Sequence, residues 1–201
     1  VISHGVTIPE AQRQPPDARL REKLKLNPSF VYGLCPGFIS RSKNHREIIE
    51  GLAASELHLV IAGECRDENY RLQLENWLDE FGVRDRATLC YGWQMNDDLW
   101  RTADFVVLGA EKTTPYSASG QLAQAIGWGL PVIAKNVPIY RDGPALLYST
   151  AEECGMLLNY LNFSSNREAL MQRSKRYATT RNWRGIAEQH VKIYQEIIKT
   201  T

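Results

Sequence analysis

The sequence has no strong charge of either sign, no long apolar run and few cysteines. Its 24 Lys and Arg nearly balance its 23 Asp and Glu, so composition does not favour a nucleic-acid partner. No stretch approaches the roughly 18 apolar residues that span a bilayer. The four cysteines are scattered without a Cys-x-x-Cys pair, which argues against a zinc site and indicates small buried side chains in a reducing compartment.

Several phosphate-binding and catalytic motifs are also absent. There is no Gly-x-Gly-x-x-Gly dinucleotide fingerprint and no Gly-x-x-x-x-Gly-Lys-[Ser/Thr] P-loop. A Gly-x-Ser-x-Gly nucleophile turn is missing as well. None of the four histidines belongs to a ligand-spaced pair, and His58, within a predicted strand, is interpreted as structural. We therefore expect no metal site and no cofactor.

From residue 30 onward, short apolar runs alternate with segments of helical period. The predicted strands are 30–34, 57–62, 87–91, 104–108, 132–134 and 146–148. The helices predicted between them are 45–54, 68–81, 96–102 and one that starts near residue 120. Val- and Leu-rich strands separated by helices indicate repeated βαβ units. The predicted fold class is therefore α/β, with a parallel sheet of about six strands and helices on both faces.

We interpret residues 1–201 as a single domain with two appended parts. Residues 1–27 read as a linker and a short amphipathic helix, and residues 150–201 as C-terminal helices. Residues 167–201 contain eight Lys or Arg and three Glu, which is either a solvated face or a face that meets an anionic surface, a membrane or a partner domain. Because the chain starts at Val1 rather than Met, we expect a longer protein.

The segment 113–134 combines a small-residue loop, a helix, a glycine stop and an apolar strand. Small residues let a ligand approach the backbone closely. A helix that begins there directs free N–H groups and its positive dipole end toward the ligand, which suits phosphate. An ordinary serine-capped helix explains the same pattern equally well. The residues that would face such a ligand are Ser117, Ser119, Gly120, Gln121 and Gln124.

Two further loops follow predicted strands at the same edge of the sheet. After the first strand, Gly37 precedes Arg41 and Lys43, which could neutralise a phosphate, although two solvated cations are the plainer interpretation. After the third strand, Trp93 could form an apolar wall for a base or pack on its own domain. Ligands of open α/β sheets bind beyond the carboxyl ends of the strands. The basic loop and the helix N-terminus would then face one crevice that suits a diphosphate.

Several short motifs occur in the same order as in a known protein family. The motifs are Ser-His-Gly-Val at 3–6, Gly-Phe-Ile and Lys-Asn within 37–44, Leu-Val-Ile-Ala-Gly at 59–63, Ala-Asp-Phe-Val-Val-Leu at 103–108 and Gly-Leu-Pro-Val-Ile-Ala at 129–134. Each motif is weak, but their order and spacing together are fairly specific. Over nearly the whole chain they resemble the C-terminal, donor-binding half of retaining GT-B glycosyltransferases of the group 1 type (family 4).

The resemblance implies a Rossmann-like domain, one half of a GT-B fold, that binds a nucleotide-diphosphate sugar such as a UDP- or GDP-sugar. It implies that Lys43 contacts the donor phosphates, whereas Arg41 is close to, but not at, the usual arginine position. The backbone from Ser119 to Gln121 would receive the diphosphate, and Trp93 would lie near the base. The acceptor would bind an N-terminal half that is absent from this chain, and the final helix would cross back to that half.

The chain departs from the family where two glutamates are typical, because it has Tyr116 and Gln124 at those positions. The amide of Gln124 can still hydrogen-bond ribose hydroxyls. Tyr116 supplies no carboxylate to the sugar, and Glu111 is out of register. We therefore assign no catalytic residue.

The expected function is retaining transfer of a hexosyl group to an acceptor such as a glycan or lipid-linked glycan, with the isolated domain inactive alone. Lys43 and the helix N-terminus would stabilise the leaving diphosphate without a metal. Two alternatives stay open: a catalytically degenerate half that serves as a binding or assembly module, and another GT-B enzyme such as a sugar-nucleotide epimerase. We expect a cytoplasmic protein, with peripheral membrane contact as an open alternative.

Overall fold

The structure, a computed structural model, describes residues 4–9, 18–92, 97–111 and 118–200. The strands are β1 (Tyr32–Pro36), β2 (His58–Gly63), β3 (Ala87–Tyr91), β4 (Phe105–Leu108), β5 (Val132–Lys135) and β6 (Leu146–Tyr148). The helices are α1 (Ala18–Lys23), α2 (His45–Ala53), α3 (Glu68–Glu80), α4 (Asp97–Thr102), α5 (Gly120–Gly127), α6 (Pro138–Arg141), α7 (Ala151–Asn162), α8 (Ser164–Thr180) and α9 (Trp183–Thr200). Short 3₁₀ turns precede α2 and β3.

The six strands form one parallel sheet in the order β3-β2-β1-β4-β5-β6. The chain therefore moves outward from β1 in one direction and then, beginning with β4, in the other. Between β1 and β4 the connections diverge to opposite faces and leave a crevice at the carboxyl ends of the strands. The predicted α/β class and parallel sheet with a helical C-terminal part are confirmed.

Both faces of the sheet are covered by helices, and β1 to β5 each contribute side chains to two apolar clusters. In β4, Val106 and Leu108 belong to the cluster packed under α4, α5 and α8, whereas Phe105 and Val107 belong to the cluster under α2, α3 and α7. This alternation is the two-residue period of a strand. Because both faces are buried, the strands read as continuous apolar runs rather than as alternating patterns.

The predicted start of the first strand needs correction. The first strand begins at Tyr32, two residues later than predicted, because Phe30 is 42% exposed and instead stacks on the His58 ring with centroids 4.1 Å apart. In α3 the buried side chains are Tyr70, Leu74 and Leu78, whereas Leu72 is 52% exposed.

The described N-terminal segment, residues 4–9, runs beside the junction between α8 and α9. The backbone N–H of Val6 donates to the Arg181 carbonyl at 2.8 Å, and Val6 pairs with Asn182 as an isolated parallel bridge. The Trp183 ring covers Gly5, where a Cβ would overlap it, and its indole N–H donates to Thr7 Oγ1 at 3.0 Å. Residues 5–7 are thereby held against the start of α9.

Most of α9 projects beyond the sheet. Ile186 is buried, but Tyr194, Ile197 and Ile198 are 58%, 56% and 74% exposed. The C-terminal part of α9 therefore presents large apolar side chains at the surface of the described chain. Among the described helices, none is both long enough and apolar enough to cross a membrane.

Arg21 fastens α1 to the sheet through a buried guanidinium. Its Nε and Nη2 donate to the Thr102 carbonyl at 3.0 and 2.8 Å, and Nη2 also donates to Asp104 Oδ2 at 2.8 Å. The same carboxylate oxygen accepts the Tyr32 backbone N–H at the start of β1. Because each charge is compensated by the other, removing one partner would leave the other buried without compensation.

We predict that Arg21→Met lowers the free energy of unfolding by about 3 kcal/mol, because it leaves the Asp104 carboxylate and the Thr102 carbonyl short of donors. Urea denaturation of both proteins measures the loss. The matched control is Arg184→Met, which removes an ion pair to Glu188 whose side chains are 90% and 63% exposed. That change should cost less than about 1 kcal/mol, and equal losses would contradict the role of Arg21.

His45 lies buried at the first residue of α2, where its Nδ1 is 3.0 Å from the Tyr70 hydroxyl. Burial lowers the pKa of His45 to about 4, and the positive charge of Lys43 acts in the same direction. The unfolded chain therefore takes up a proton between about pH 6.5 and pH 4 that the folded chain does not. In this window the imidazole favours unfolding as the pH falls.

We predict that this histidine removes about 3 kcal/mol of stability between about pH 7 and pH 4. His45→Gln keeps an amide within reach of Tyr70 but cannot titrate. Urea midpoints measured across this range should fall less steeply for the variant than for the parent chain. Identical slopes for the two proteins would show that His45 is not held neutral by the fold.

Candidate functional site

A cleft of about 620 Å³ opens at the carboxyl edge of the sheet, over the crevice between β1 and β4. One wall comes from the loop after β1, another from the first turns of α5, and the far wall from the N-terminal segment and the start of α9. The lining residues are His4, Gly5, Thr7, Gly37, Phe38, Lys43, Ala118, Ser119, Gly120, Gln121, Ala123, Gln124, Ile139, Tyr140 and Trp183. Of the predicted parts of the site, the loop after β1 and the start of α5 therefore line one cavity.

The loops after β1 and β4 contact each other beside this cleft. The Glu111 backbone N–H donates to the Ser42 carbonyl at 3.1 Å, and a Cβ on Gly109 would overlap the Lys43 carbonyl oxygen. The close backbone approach holds the 3₁₀ turn Arg41–Lys43 against the end of β4. The position of Lys43 is therefore set by backbone contacts at the crevice.

The side chain of Lys43 reaches the first turn of α5. Its ammonium donates to Gln121 Oε1 at 2.9 Å, and Gln121 Nε2 donates in turn to the Pro36 carbonyl at 2.6 Å. The backbone of Gly37 has φ +103°, and a Cβ there would overlap Gln121 Nε2. Glycine at this position therefore supplies both the left-handed backbone and the room for the glutamine amide.

The helix N-terminus at the cleft is formed by Ser119 and the residues that follow. The Ser119 side chain accepts the Leu122 backbone N–H at 3.1 Å, which leaves the amides of Gly120 and Gln121 in the first turn. The buried Tyr140 hydrogen-bonds the backbone of Ala110 and the Ser119 side chain, and so supports the cap from below. A capped helix start directs positive partial charge into the cleft.

Partial burial affects the charges at this site. Burial lowers the pKa of Lys43, and the neighbouring Cys35 thiol acts in the opposite direction. Burial raises the pKa of Cys35 to about 12, so that its sulfur stays a neutral thiol. Lys43 thus stands as a partly desolvated cation that an anion in the cleft would stabilise.

Arg41, which the sequence places beside Lys43, does not reach the cleft. Its guanidinium donates to Gln73 Oε1 at 3.0 Å, lies 3.6 Å from Asp67 and covers the Tyr70 ring. Successive residues of a 3₁₀ turn project about 120° apart, so two cations separated by one residue cannot face the same way. The structure therefore separates Arg41 from the other predicted site residues.

The remaining predicted residues divide into two groups. Gln124 is exposed on the second turn of α5 and lines the cleft, as does Gly120 at the start of the helix. Trp93, Tyr116 and Ser117 lie outside the described residues. The hypotheses on a base contact and on the lost carboxylate therefore stay predictions.

Several cleft residues were not identified from the sequence. Phe38, on the wall formed by the loop after β1, is 48% exposed, and the Arg66 guanidinium lies over its ring at 5.8 Å from the centroid. On the far wall, the His4 and Trp183 rings meet edge to face with centroids 5.1 Å apart. The signals for these residues were weak, since an aromatic next to a glycine and an aromatic at a helix start are both ordinary features.

The cleft can bind an anion through a lysine and a helix start, and its aromatic walls can contact flat or apolar groups. In the described part of the chain no group of His, Cys, Asp and Glu side chains could hold a metal ion. The described lining also carries no carboxylate. Its chemistry is therefore charge stabilisation and hydrogen bonding.

The chain is similar to known proteins in its three-dimensional structure. No protein-family model matches the chain, and no curated protein matches it. Among solved structures, a glycosyltransferase from Rickettsia africae aligns with a TM-score of 0.80 at 14% identity, over 100% of this chain and 57% of its own. HepE from Anabaena, in complex with UDP and glucose, aligns with a TM-score of 0.73 at 17% identity, over 89% and 52%.

A further match is the isolated C-terminal domain of the group 1 glycosyltransferase LpcC from Francisella tularensis. It aligns with a TM-score of 0.67 at 18% identity, over 86% of this chain and 97% of that domain. The chain thus spans about half the length of the first two proteins and matches nearly the whole of this domain. The chain therefore has the Rossmann-like fold of the C-terminal half of group 1 GT-B glycosyltransferases.

Proposed function

We propose that this chain is the donor-binding half of a retaining glycosyltransferase and binds a nucleotide-diphosphate sugar in the cleft. The observation that carries the proposal is the meeting of Lys43 with the first turn of α5 at the crevice between β1 and β4. A cation and a helix N-terminus at one edge of a parallel sheet suit a diphosphate. The UDP and glucose bound to HepE, which has a similar fold, support the same class of ligand.

The proposed chemistry is stabilisation of a leaving group. In sugar transfer, the bond between the anomeric carbon and the terminal phosphate oxygen breaks, and the diphosphate leaves with the electron pair. The acceptor hydroxyl forms the new bond and loses its proton. Negative charge grows on the diphosphate, where Lys43 and the Gly120 and Gln121 amides would offset it in a partly desolvated cleft.

Gln124 is the proposed contact for ribose or sugar hydroxyls. It is exposed on the cleft side of α5, one turn beyond the helix start, and its amide can both donate and accept. Trp93 is retained as a proposed contact of the base, and Tyr116 and Ser117 as proposed contacts of the donor. Arg41 is left out because its guanidinium is engaged with α3.

We further propose that a preceding half of the protein packs against α9. The chain spans 57% and 52% of two similar structures, and residues 4–9 lie beside the start of α9, so a preceding segment would enter there. The exposed apolar residues of α9 give such a half a surface to cover. Acceptor binding would then belong to that half, and the complete protein rather than this chain would catalyse transfer.

Titration calorimetry with UDP, GDP and ADP tests the donor site. We predict that at least one nucleotide binds and that Lys43→Met weakens it by about 10- to 100-fold, or about 1.4 to 2.8 kcal/mol, because a charged contact to phosphate is lost. The matched control is Lys175→Met on α8, outside the cleft, which should leave the affinity unchanged. No binding of any nucleotide at millimolar concentration, or equal affinity in both variants, would contradict the proposal.

A second prediction tests the preceding half. Ile198→Ser should change the free energy of unfolding of this chain by less than about 0.5 kcal/mol, because the side chain is 74% exposed. In the proposed two-half protein, the same change should cost about 1 to 2 kcal/mol, since the isoleucine would be buried at the interface. Urea denaturation of both lengths measures this, and the same small effect in both would refute the docking role of α9.

A binding module without turnover is the second candidate function, and the absence of a carboxylate from the described cleft lining favours it. The longer protein decides between the two candidates. Release of nucleoside diphosphate from a sugar nucleotide, abolished by Lys43→Met, supports the transferase. Nucleotide binding without any release, on a screen of UDP- and GDP-sugars with glycan acceptors, supports the module.

A further inference from the structure

The amide of Gln121 occupies the space between the two anion-binding elements of the cleft. Its Oε1 accepts from the Lys43 ammonium at 2.9 Å, and its Nε2 donates to the Pro36 carbonyl at 2.6 Å. Gln121 is itself the second residue of α5, so its side chain folds back from the helix start toward the loop after β1. An oxygen atom is therefore already in contact with the lysine that we propose as the phosphate ligand.

Local geometry favours this folded-back conformation. Gly37 has no side chain, and a Cβ at that position would overlap Gln121 Nε2, so the amide packs directly on the glycine. The Pro36 carbonyl, at the end of β1, gives the amide nitrogen a fixed acceptor. Gln121 is half-buried rather than enclosed, and it lines the cleft, so its side chain can rotate into the open space without a backbone change.

The contact also satisfies the Lys43 ammonium, for which no carboxylate lines the described part of the cleft. Lys43 is partly desolvated, and the described cleft lining contains no carboxylate to pair with it. An amide oxygen carries a partial negative charge and accepts a hydrogen bond, but it binds an ammonium less strongly than an ionised oxygen does. A phosphate oxygen would therefore replace it when a diphosphate is present.

We infer that Gln121 is a displaceable internal ligand of Lys43, which fills the anion site of the empty protein and leaves it when a diphosphate binds. The inference rests on the proposed function, since it assumes that the cleft binds a diphosphate through Lys43. It adds a determinant of affinity, because the incoming anion must break the Lys43–Gln121 and Gln121–Pro36 hydrogen bonds before it can contact the lysine.

Substitution of an ordinary binding residue weakens the affinity for the ligand, whereas removal of the Gln121 amide should strengthen it. Removing the amide while keeping the length of the side chain, as in Gln121→Met, frees Lys43 and should tighten binding of UDP and of inorganic pyrophosphate about tenfold, or about 1.4 kcal/mol. Gln121→Glu places a carboxylate against the Lys43 ammonium and should weaken the binding of UDP and pyrophosphate at least tenfold. The gain from Gln121→Met should vanish in the background of Lys43→Met.

The experiment is calorimetric titration of the 201-residue chain and its variants with UDP and with pyrophosphate. The matched control is Gln172→Met, the same change on an exposed face of α8 outside the cleft, and it should leave the affinity unchanged. A second readout follows the side-chain amide of Gln121 by ¹⁵N NMR. Its protons should exchange faster with solvent when the chain is saturated with UDP, because they lose the Pro36 carbonyl.

The outcomes separate this inference from the proposed function. Suppose that the parent chain binds UDP and that Lys43→Met abolishes this binding. If Gln121→Met then has an affinity for UDP equal to or lower than that of the parent chain, the inference is overturned and the proposed function stands. If Gln121→Met binds and the parent chain does not, the inference is supported. If neither the parent chain nor Gln121→Met binds either probe, both are overturned.

Discussion

The positive charge of Lys43 is partly buried where the loops after two adjacent parallel strands meet, and the arrangement of the cleft depends on that placement. In a sheet of order β3-β2-β1-β4-β5-β6, the loops after β1 and β4 emerge next to each other at the carboxyl edge. The Glu111 amide and the bare Gly109 backbone hold the lysine turn against β4. A cation and a helix N-terminus consequently meet over one crevice, although 76 residues of sequence separate Lys43 from Ser119.

A partly desolvated cation needs a partner when no anion is bound, and here the chain provides a weak one. The amide of Gln121 is polar enough to satisfy the ammonium, yet it is uncharged and keeps open space on one side. A carboxylate at the same position would neutralise the lysine and repel phosphate. The residue types at the site are therefore consistent with a cleft that is stable without ligand and still attracts an anion.

The apolar core lies on both faces of the sheet, whereas the C-terminal part of α9 carries large apolar side chains at the surface. Residues 4–9 and the start of α9 are joined at Val6 and Asn182. The chain spans about half the length of two proteins with a similar fold, and its exposed helix is the surface on which we place the proposed preceding half.

Sequence alone determined the α/β class and the alternation of six strands with helices, because these follow from local periodicity. It also identified Lys43 and the start of α5, since basic and small residues after strands are local signals. Only the tertiary structure decided that Arg41 turns away to α3, that Gln121 bonds Lys43 and that Trp183 faces the cleft. Those outcomes depend on the direction of a 3₁₀ turn and on contacts between residues far apart in sequence, which no local pattern encodes.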